Sequence, residues 1–386
     1  NLTSIYTYLD VRFGKTAYRT GASFFLLSKM LGAAARLYLV CLILQNYVFG
    51  SMGVPFEITA AGTVFLIWLY TFRGGIKSLV WTDALQTLCL ITALVLILYQ
   101  LCRLNDFTVT EAIWHVTESP YGRWIEWDDW TSRQHFAKQF FSGVFIVIVM
   151  TGLDQDMMQK NLTCKNLRDA QKDMCSYGFS FIPLNMLFLG MGILLLALAS
   201  REGIALPVKG DDILPLFCAE GYLGNEVLVL FTIGIIAAAF SSADSALTAL
   251  TTSFCVDILD VERRFARPEA VRKRVHGVIA LLFVGFILCF EAVNDSSVID
   301  AIYVVASYTY GPLLGLFAFG MFTRRKPCPA AVPCVTAPVC CYLLDVWTAS
   351  IYGYRFGYEL LMLNGFFTFM GLYAFSKAYS QGMDKR

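Results

Sequence analysis

Residues 226–259, EVLVLFTIGIIAAAFSSADSALTALTTSFCVDIL, form an apolar run long enough to cross a bilayer, with a band of hydroxyls and a carboxylate at its middle. About 20 apolar residues span the hydrocarbon, so Ser241, Ser242, Asp244, Ser245 and Thr248 fall inside the segment and not at its end. At about 100° per residue, Thr251, Asp244, Thr248, Ser241, Thr252, Ser245 and Ser242 follow in that angular order over about half of the helix surface. The result is one polar stripe on an otherwise apolar rod.

An ionised carboxylate at that depth costs a few kcal/mol, so Asp244 has to face protein, water or a cation. A sodium ion that must also leave again needs several oxygens at short range and little net charge, which hydroxyls supply. The competing reading is that each Ser or Thr bonds its own i−4 carbonyl, or lets a neighbouring helix approach closely. Adjacent serines followed by an aspartate on one stripe favour the cation.

The chain around this stretch is 57% hydrophobic and 15% charged over 386 residues, which excludes a soluble globular protein. A net charge of +1 carries no nucleic-acid signal. The 12 cysteines are scattered through apolar segments without a C-x-x-C pair, so buried free thiols are expected. No G-x-S-x-G, Walker A loop or H-E-x-x-H occurs, and the histidines, His115, His135 and His276, lie near membrane edges. An enzyme, a nucleotide-driven pump and a bound cofactor are all unexpected. The chain does not begin with Met and no short secretory leader precedes its first span, which leaves a clipped or partial start open.

Apolar runs and polar breaks mark ten spans: 20–45, 54–72, 79–102, 136–157, 176–200, 226–259, 275–293, 298–322, 328–348 and 358–380. The expected fold is therefore all-α, a polytopic membrane helix bundle. With residues 1–19 cytoplasmic, 21 of the 30 lysines and arginines fall on one side, against seven on the other. The inner set includes Arg73, Arg263 to Arg274, Arg324 to Lys326, Lys385 and Arg386. Both ends of this chain are thus expected in the cytoplasm. The outer loop 103–135 holds Trp114, Trp124, Trp127 and Trp130, suited to a helix or hairpin at the interface, and loop 201–225 is a candidate lid.

A few polar residues stand out within the spans. Lys29 and Arg36 are seven apart, on one face of the first span. Lys29 can snorkel; Arg36, about 24 Å along from Thr20, is either half of a structural ion pair or an anchor for an anionic solute. Asp83, just inside the third span, has the alternative reading of a carboxylate placed by the helix dipole. In VMTGLDQDMMQK, Gly152, Asp154 and Gln155 mark a broken apolar helix, a pointer to a transporter site. SYTYGPLLG holds a second break at Gly311 and Pro312, beside Tyr308 and Tyr310, which either gate or pack.

These stretches resemble the sodium:solute symporter family, whose members share the inverted-repeat fold of the bacterial leucine transporter. The likeness is carried by YLDVRFG (8–14), GGIKSLVWTDALQ (74–86), GLDQDMMQKNLTCKNLRDAQKDM (152–174) and AAAFSSADSALTALTTSFCVDIL (237–259), with SYTYGPLLGLF (307–317) in weaker support. The motifs lie in order over most of the chain. The resemblance implies one transporter domain over 1–386: residues 20–102 as the remainder of a first repeat, 136–322 as the second, and 328–380 as two accessory helices. It makes 20–45 the third core helix, so the first core helices are expected to be missing from this chain.

What the resemblance implies for the site is specific. The family's main sodium site takes a backbone carbonyl and two hydroxyls, here Ala238, Ser241 and Ser242. A second sodium site in some members uses the aspartate at Asp83, with Ser241 and two later hydroxyl positions, which here read Asp244 and Ser245. Asp244 departs from the pattern; with Asp83 it makes a proton-linked variant conceivable, since nearby carboxylates raise one another's pKa. The sugar-transporting branch has an asparagine and a tyrosine where this chain has Val147 and Met150, which argues against sugar. The sialic-acid branch has an arginine near Ala33, three residues before Arg36, which keeps an acid solute open. The function implied is sodium-coupled import of a small organic solute by alternating access, with Arg36, Gln155 and Tyr308 as candidate solute contacts. Partners are sodium, the solute and the bilayer of a plasma membrane, here a bacterial inner membrane. A membrane sensor domain of symporter-like fold and a proton-coupled carrier are the alternatives.

Overall fold

The computed structural model describes residues 4–378 apart from 72–75, 124, 163, 294–297 and 328. Arg73, Trp124, Lys385 and Arg386 therefore lie outside the described residues. A short helix α1 (Thr7–Phe13) turns at Gly14 into α2 (Lys15–Leu44). Gly14 sits at φ +92°, a conformation that costs a residue with a Cβ but not glycine. The chain continues through α3 (Phe56–Thr71), α4 (Ile76–Leu104) and the outer helix α5 (Val109–Glu118). Then come α6 (Phe136–Val147), α7 (Gln155–Leu162), α8 (Leu167–Glu202), the short α9 (Ile213–Ala219) and α10 (Asn225–Ser253). It ends in α11 (Val261–Arg264), α12 (Pro268–Val293), α13 (Val298–Thr309), α14 (Gly311–Phe322), α15 (Ala331–Tyr352) and α16 (Leu360–Ala374). Two three-residue strands, β1 (Arg325–Pro327) and β2 (Ser376–Ala378), pair antiparallel and tie the loop before α15 to the end of the described chain.

Among the described residues, six helices are long and apolar enough to cross a membrane, and α13 with α14, bent by 41° at their junction, makes a seventh if the pair is one span. The apolar helices Phe56–Thr71, Phe136–Gly152 and Leu360–Ala374 are shorter. At about 1.5 Å per residue the first of these is about 24 Å long, somewhat less than the hydrocarbon thickness. The protein is mostly helical and membrane-embedded, as the apolar runs require.

The helices bury side chains in three groups. Ala34, Tyr38, Val64, Leu247 and Phe283 join α2, α3, α10 and α12. Tyr6, Phe25, Val149, Leu313 and Leu361 join α1, α2, α14 and α16 to the end of α6. Leu94, Leu101, Leu195, Phe217 and Val227 join α4, α8 and α9 to the start of α10. Asp83 faces Ser241 at one end of the α4–α10 contact and Leu101 shares a cluster with Val227 at the other, so these helices run antiparallel. The loop expected to act as a lid is anchored, with Phe217, Cys218 and Leu223 buried. Burial pushes the Cys218 thiol up to about 12. Cys41, Cys255, Cys334 and Cys341 are buried too, while Cys175, Cys289 and Cys340 are exposed, and among the described residues none is in a disulfide. In the outer loop, α5 opens with a reciprocal cap between Thr108 and Glu111, and Trp127 and Trp130 pack on His135 with ring centroids 5.5 and 4.7 Å away.

The α13–α14 junction shows how the fold tolerates a broken span. Pro312 has no N–H to give the Tyr308 carbonyl, and no water is at hand inside a membrane. Asn364 on α16 supplies the replacement: its Nδ2 donates to the Ser307 and Tyr308 carbonyls at 2.9 and 3.0 Å. The approach is close because Gly311, Gly315 and Gly365 lack side chains; a Cβ at Gly311 would lie 2.3 Å from Asn364 Cγ, and one at Gly315 2.5 Å from Thr368 Cβ. Asn364→Leu should therefore lower thermal stability by about 1–3 kcal/mol, the cost of stranding buried carbonyls, measured as a fall in Tm of detergent-solubilised protein. An unchanged Tm would show that those carbonyls find other donors.

Candidate functional site

The sequence stripe on α10 meets α4 across a narrow contact. Leu90, Leu94 and Ile97 of α4 face Phe231, Ile235 and Ala238 of α10 around an apolar cavity of about 130 Å³. One turn beyond Ala238 the apolar face ends, and the Ser241 hydroxyl donates to Asp83 Oδ1. Asp83 is the eighth residue of α4, beyond the turn where the helix dipole acts, so the dipole does not account for its position. Elsewhere in the bundle the hydroxyls follow a local habit: Ser28, Thr63, Thr87, Thr232, Thr251 and Ser307 each donate to their own i−4 carbonyl. Ser241 instead reaches another helix.

The other residues of the stripe are divided. Asp244 and Ser245 are buried, at 1% and 5% exposure, and among the described residues the Ser245 hydroxyl has no hydrogen-bond partner. Ser242 is exposed and Ala238 half-buried. The Ala238 carbonyl lies within a continuous helix, so a cation would use its second lone pair. Thr251 is taken up structurally: its hydroxyl also meets His276 Nδ1 at 3.1 Å, while His276 Nε2 meets Thr71 Oγ1 at 2.9 Å, stitching α10, α12 and α3 together. The structure thus joins Asp83 to Ser241 directly, buries Asp244 and Ser245, and leaves Ser242 exposed.

The candidate solute contacts lie around the two helix breaks. Between α6 and α7 the chain passes through a π-turn, Ile148–Gly152, and resumes helix at Gln155. Several of the freed groups are met. Asp154 caps α7 by accepting from the Asp156 N–H at 2.8 Å, and the Leu153 carbonyl accepts from Tyr6 Oη at 2.8 Å. The Gln155 side-chain oxygen accepts from the Ile5 N–H, also at 2.8 Å, and Gln155 is 1% exposed. Lys29 does not snorkel. It is 5% exposed, and its ammonium lies 3.2 Å from Asp154 Oδ2 and 2.8 Å from Asp156 Oδ2. Tyr310, from the other break, donates to the same Asp154 oxygen at 2.9 Å. Arg36, two turns beyond Lys29, is half-buried, its Nε donates to the Gly32 carbonyl at 3.1 Å, and among the described residues it forms no ion pair. Tyr308 is half-buried on the α13 side of the second break, one residue from the bend and facing away from Tyr310.

Both breaks are read from the sequence, but the tie between them, which Lys29 and Asp156 complete, is not among the expectations above. The signal was in the chain: a lysine that deep in an apolar span needs a carboxylate, and GLDQD offers two of them. At the far end of α10, Asp257 is likewise buried and met by Tyr18 Oη at 2.6 Å and Ser253 Oγ at 2.5 Å, which binds α10 to the start of α2.

A broken-helix bundle with a hydroxyl–carboxylate pair between two of its spans is the architecture of a secondary transporter, and the comparisons agree. Residues 3–332 match the sodium:solute symporter family. The sodium/sialic acid symporter NanT of Aliivibrio fischeri is 26% identical over 366 residues, 91% of this chain and 69% of that protein. The sodium-dependent multivitamin transporter of Oryctolagus cuniculus is 27% identical over 349 residues, 86% of this chain and 52% of that protein. A solved Na+-coupled sialic acid symporter in a substrate-bound outward-open state shares the fold, with a TM-score of 0.78 at 21% identity over 97% of this chain and 78% of that one. The chain belongs to the sodium:solute symporter family. It is a membrane transport protein of the sodium-coupled symporter type, with sodium as the coupling ion.

Lys29 gives the buried tie a direct test. Removing one partner of a buried ion pair strands the others, at about 3–5 kcal/mol. Lys29→Met should accordingly lower Tm sharply, and adding Asp154→Asn and Asp156→Asn should recover much of the loss. A Lys29→Met protein as stable as the parent would remove the tie from the account.

Proposed function

We propose that this chain carries a small organic acid into the cell together with sodium, by alternating access around a site near the bilayer midplane. The observation that carries the reading is the Ser241–Asp83 pair: a hydroxyl that leaves its own helix to meet a carboxylate between two membrane spans. Sodium is held at two places on α10. One takes the Ala238 carbonyl with the Ser241 and Ser242 hydroxyls; the other takes Asp83, Ser241, Asp244 and Ser245. The Ser245 hydroxyl, buried without a protein acceptor, supports the second site, because an unmet buried hydroxyl costs about 1–3 kcal/mol unless a ligand uses it.

The acid is read from Arg36. A guanidinium inside a span without an ion pair among the described residues suits an anionic solute, and relatives named for sialic acid and for monocarboxylates point the same way. Gln155 and Tyr308 flank the breaks and complete the candidate set. In this reading the apolar segments are ten crossings, α2 to α4 belong to one repeat and α6 to α14 to the other, and both ends of the chain lie in the cytoplasm of a bacterial inner membrane. Sodium favours the outward-open state only as far as it binds that state better than the inward-open one.

The melting temperature of the full-length protein in NaCl, KCl and choline chloride tests this without a known solute. An ion at 100 times its Kd stabilises the folded state by about 2.7 kcal/mol. A rise specific to sodium is expected, reduced in Ser241→Ala and in Asp83→Asn. A rise that follows pH but not sodium would favour the proton-coupled alternative, and no response to either would sink the ion site.

A further inference from the structure

We propose that the groove between the first turns of α2 and α15 holds an anionic phospholipid, its phosphate between Lys15 and Arg19 and an acyl chain running along α15. The proposal rests on the reading of both helices as membrane crossings. The groove has a volume of about 430 Å³. Its α2 wall carries Lys15, Thr16, Arg19, Ser23 and Phe24, and its α15 wall is apolar, with Ala331 and Val335. Lys15, Arg19 and Ser23 follow at four-residue spacing, so they lie on one helix face and descend from the membrane edge by about 12 Å.

Three observations point to a lipid phosphate. Lys15 and Arg19 are both exposed, and among the described residues neither forms an ion pair, whereas the buried Lys29 and the exposed Arg201 both do. They are like charges one turn apart, in the first turns of a helix, where both their mutual repulsion and the macrodipole work against them. An anion between them relieves both. The third observation is the apolar wall. A free phosphate would lose hydration against Val335 and gain nothing there, but a lipid brings its own hydrocarbon. That hydrocarbon has a path, because Val335 and Val339 on α15 and Leu27 on α2, set further along their helices than Ala331 and Lys15, are 57%, 54% and 44% exposed. The Thr16 and Ser23 hydroxyls remain as donors to the phosphate oxygens, while Thr20 Oγ1 is taken up by the Thr16 carbonyl at 2.9 Å. Basic pockets between membrane helices on the cytoplasmic side are suited to such headgroups.

The test is retention of phosphatidylglycerol against phosphatidylcholine by the full-length protein, read by native mass spectrometry after reconstitution in mixed nanodiscs. Phosphatidylglycerol should be retained preferentially. Lys15→Gln with Arg19→Gln should weaken it by about 30-fold, the effect of two interfacial cations, and Arg263→Gln with Arg267→Gln, at exposed positions in and just after α11, should leave it unchanged. Val335→Trp, which fills the apolar side without changing charge, should weaken it as well. Equal retention of both lipids, or undiminished phosphatidylglycerol in the Lys15/Arg19 variant, overturns the site. Displacement by inorganic phosphate, or indifference to Val335→Trp, overturns the lipid as its occupant.

Discussion

A backbone group set free inside a bilayer has no water to turn to, and this bundle is arranged around meeting that constraint twice. The break between α6 and α7 is met from the chain's own beginning, by Tyr6 on the Leu153 carbonyl and by the Asp154 cap on α7. The break between α13 and α14 is met from α16, by Asn364. The two are then tied together at one carboxylate, where Tyr310 from the second break and Lys29 from α2 both reach Asp154. Without those partners, two discontinuous spans would expose unpaired polar groups. With them, the irregular backbone that a transporter site needs becomes stable.

The helix α2 is what makes this possible. It packs against α10, α12 and α13, sends Lys29 to one break and Tyr18 to Asp257 at the far end of α10. The ion candidates on α10 and the solute candidates at the breaks therefore share one strut. Among the described residues α2, α6 and α10 each end in a single π-turn, at Gln45–Phe49, Ile148–Gly152 and Phe254–Ile258. Such turns widen the hydrogen-bond ladder locally and occur often where a helix serves a site. Here one lies beside the Asp154 break and another carries Asp257.

Membrane class, the helical bundle and the places where helices break were all legible in the chain, because each has a local signature. Apolar length marks a span, and Gly152, Gly311 and Pro312 mark interruptions whatever surrounds them. Long-range partners were not legible. Whether Lys29 snorkels or pairs depends on which loop of a distant helix reaches it, and nothing within its own turn distinguishes the two. The same holds on α10: a helical wheel groups Ser242 with Asp244 and Ser245 as polar, but packing against α2 and α4 buries the last two and leaves the first exposed. The pairing of Asp83 with Ser241 came from family resemblance, since 158 positions separate them.

The geometry also constrains how an ion is coupled to a solute here. An ion held between α4 and α10, as proposed above, would reach the breaks through the helices that α10 touches: α7, which Asp154 caps, and, as the larger contact, α2. That contact is built from Ala33, Ala34 and Leu37 against Ala243, Ala246 and Leu247, small and close-packed side chains that transmit displacement and do not absorb it. Lys29 and Arg36 share one face of α2 beside this seam. In the proposed reading a shift of α10 that relaxes Asp83 is passed along α2 to the buried tie and to Arg36, and the coupling free energy is limited by how differently that helix packs in its two states.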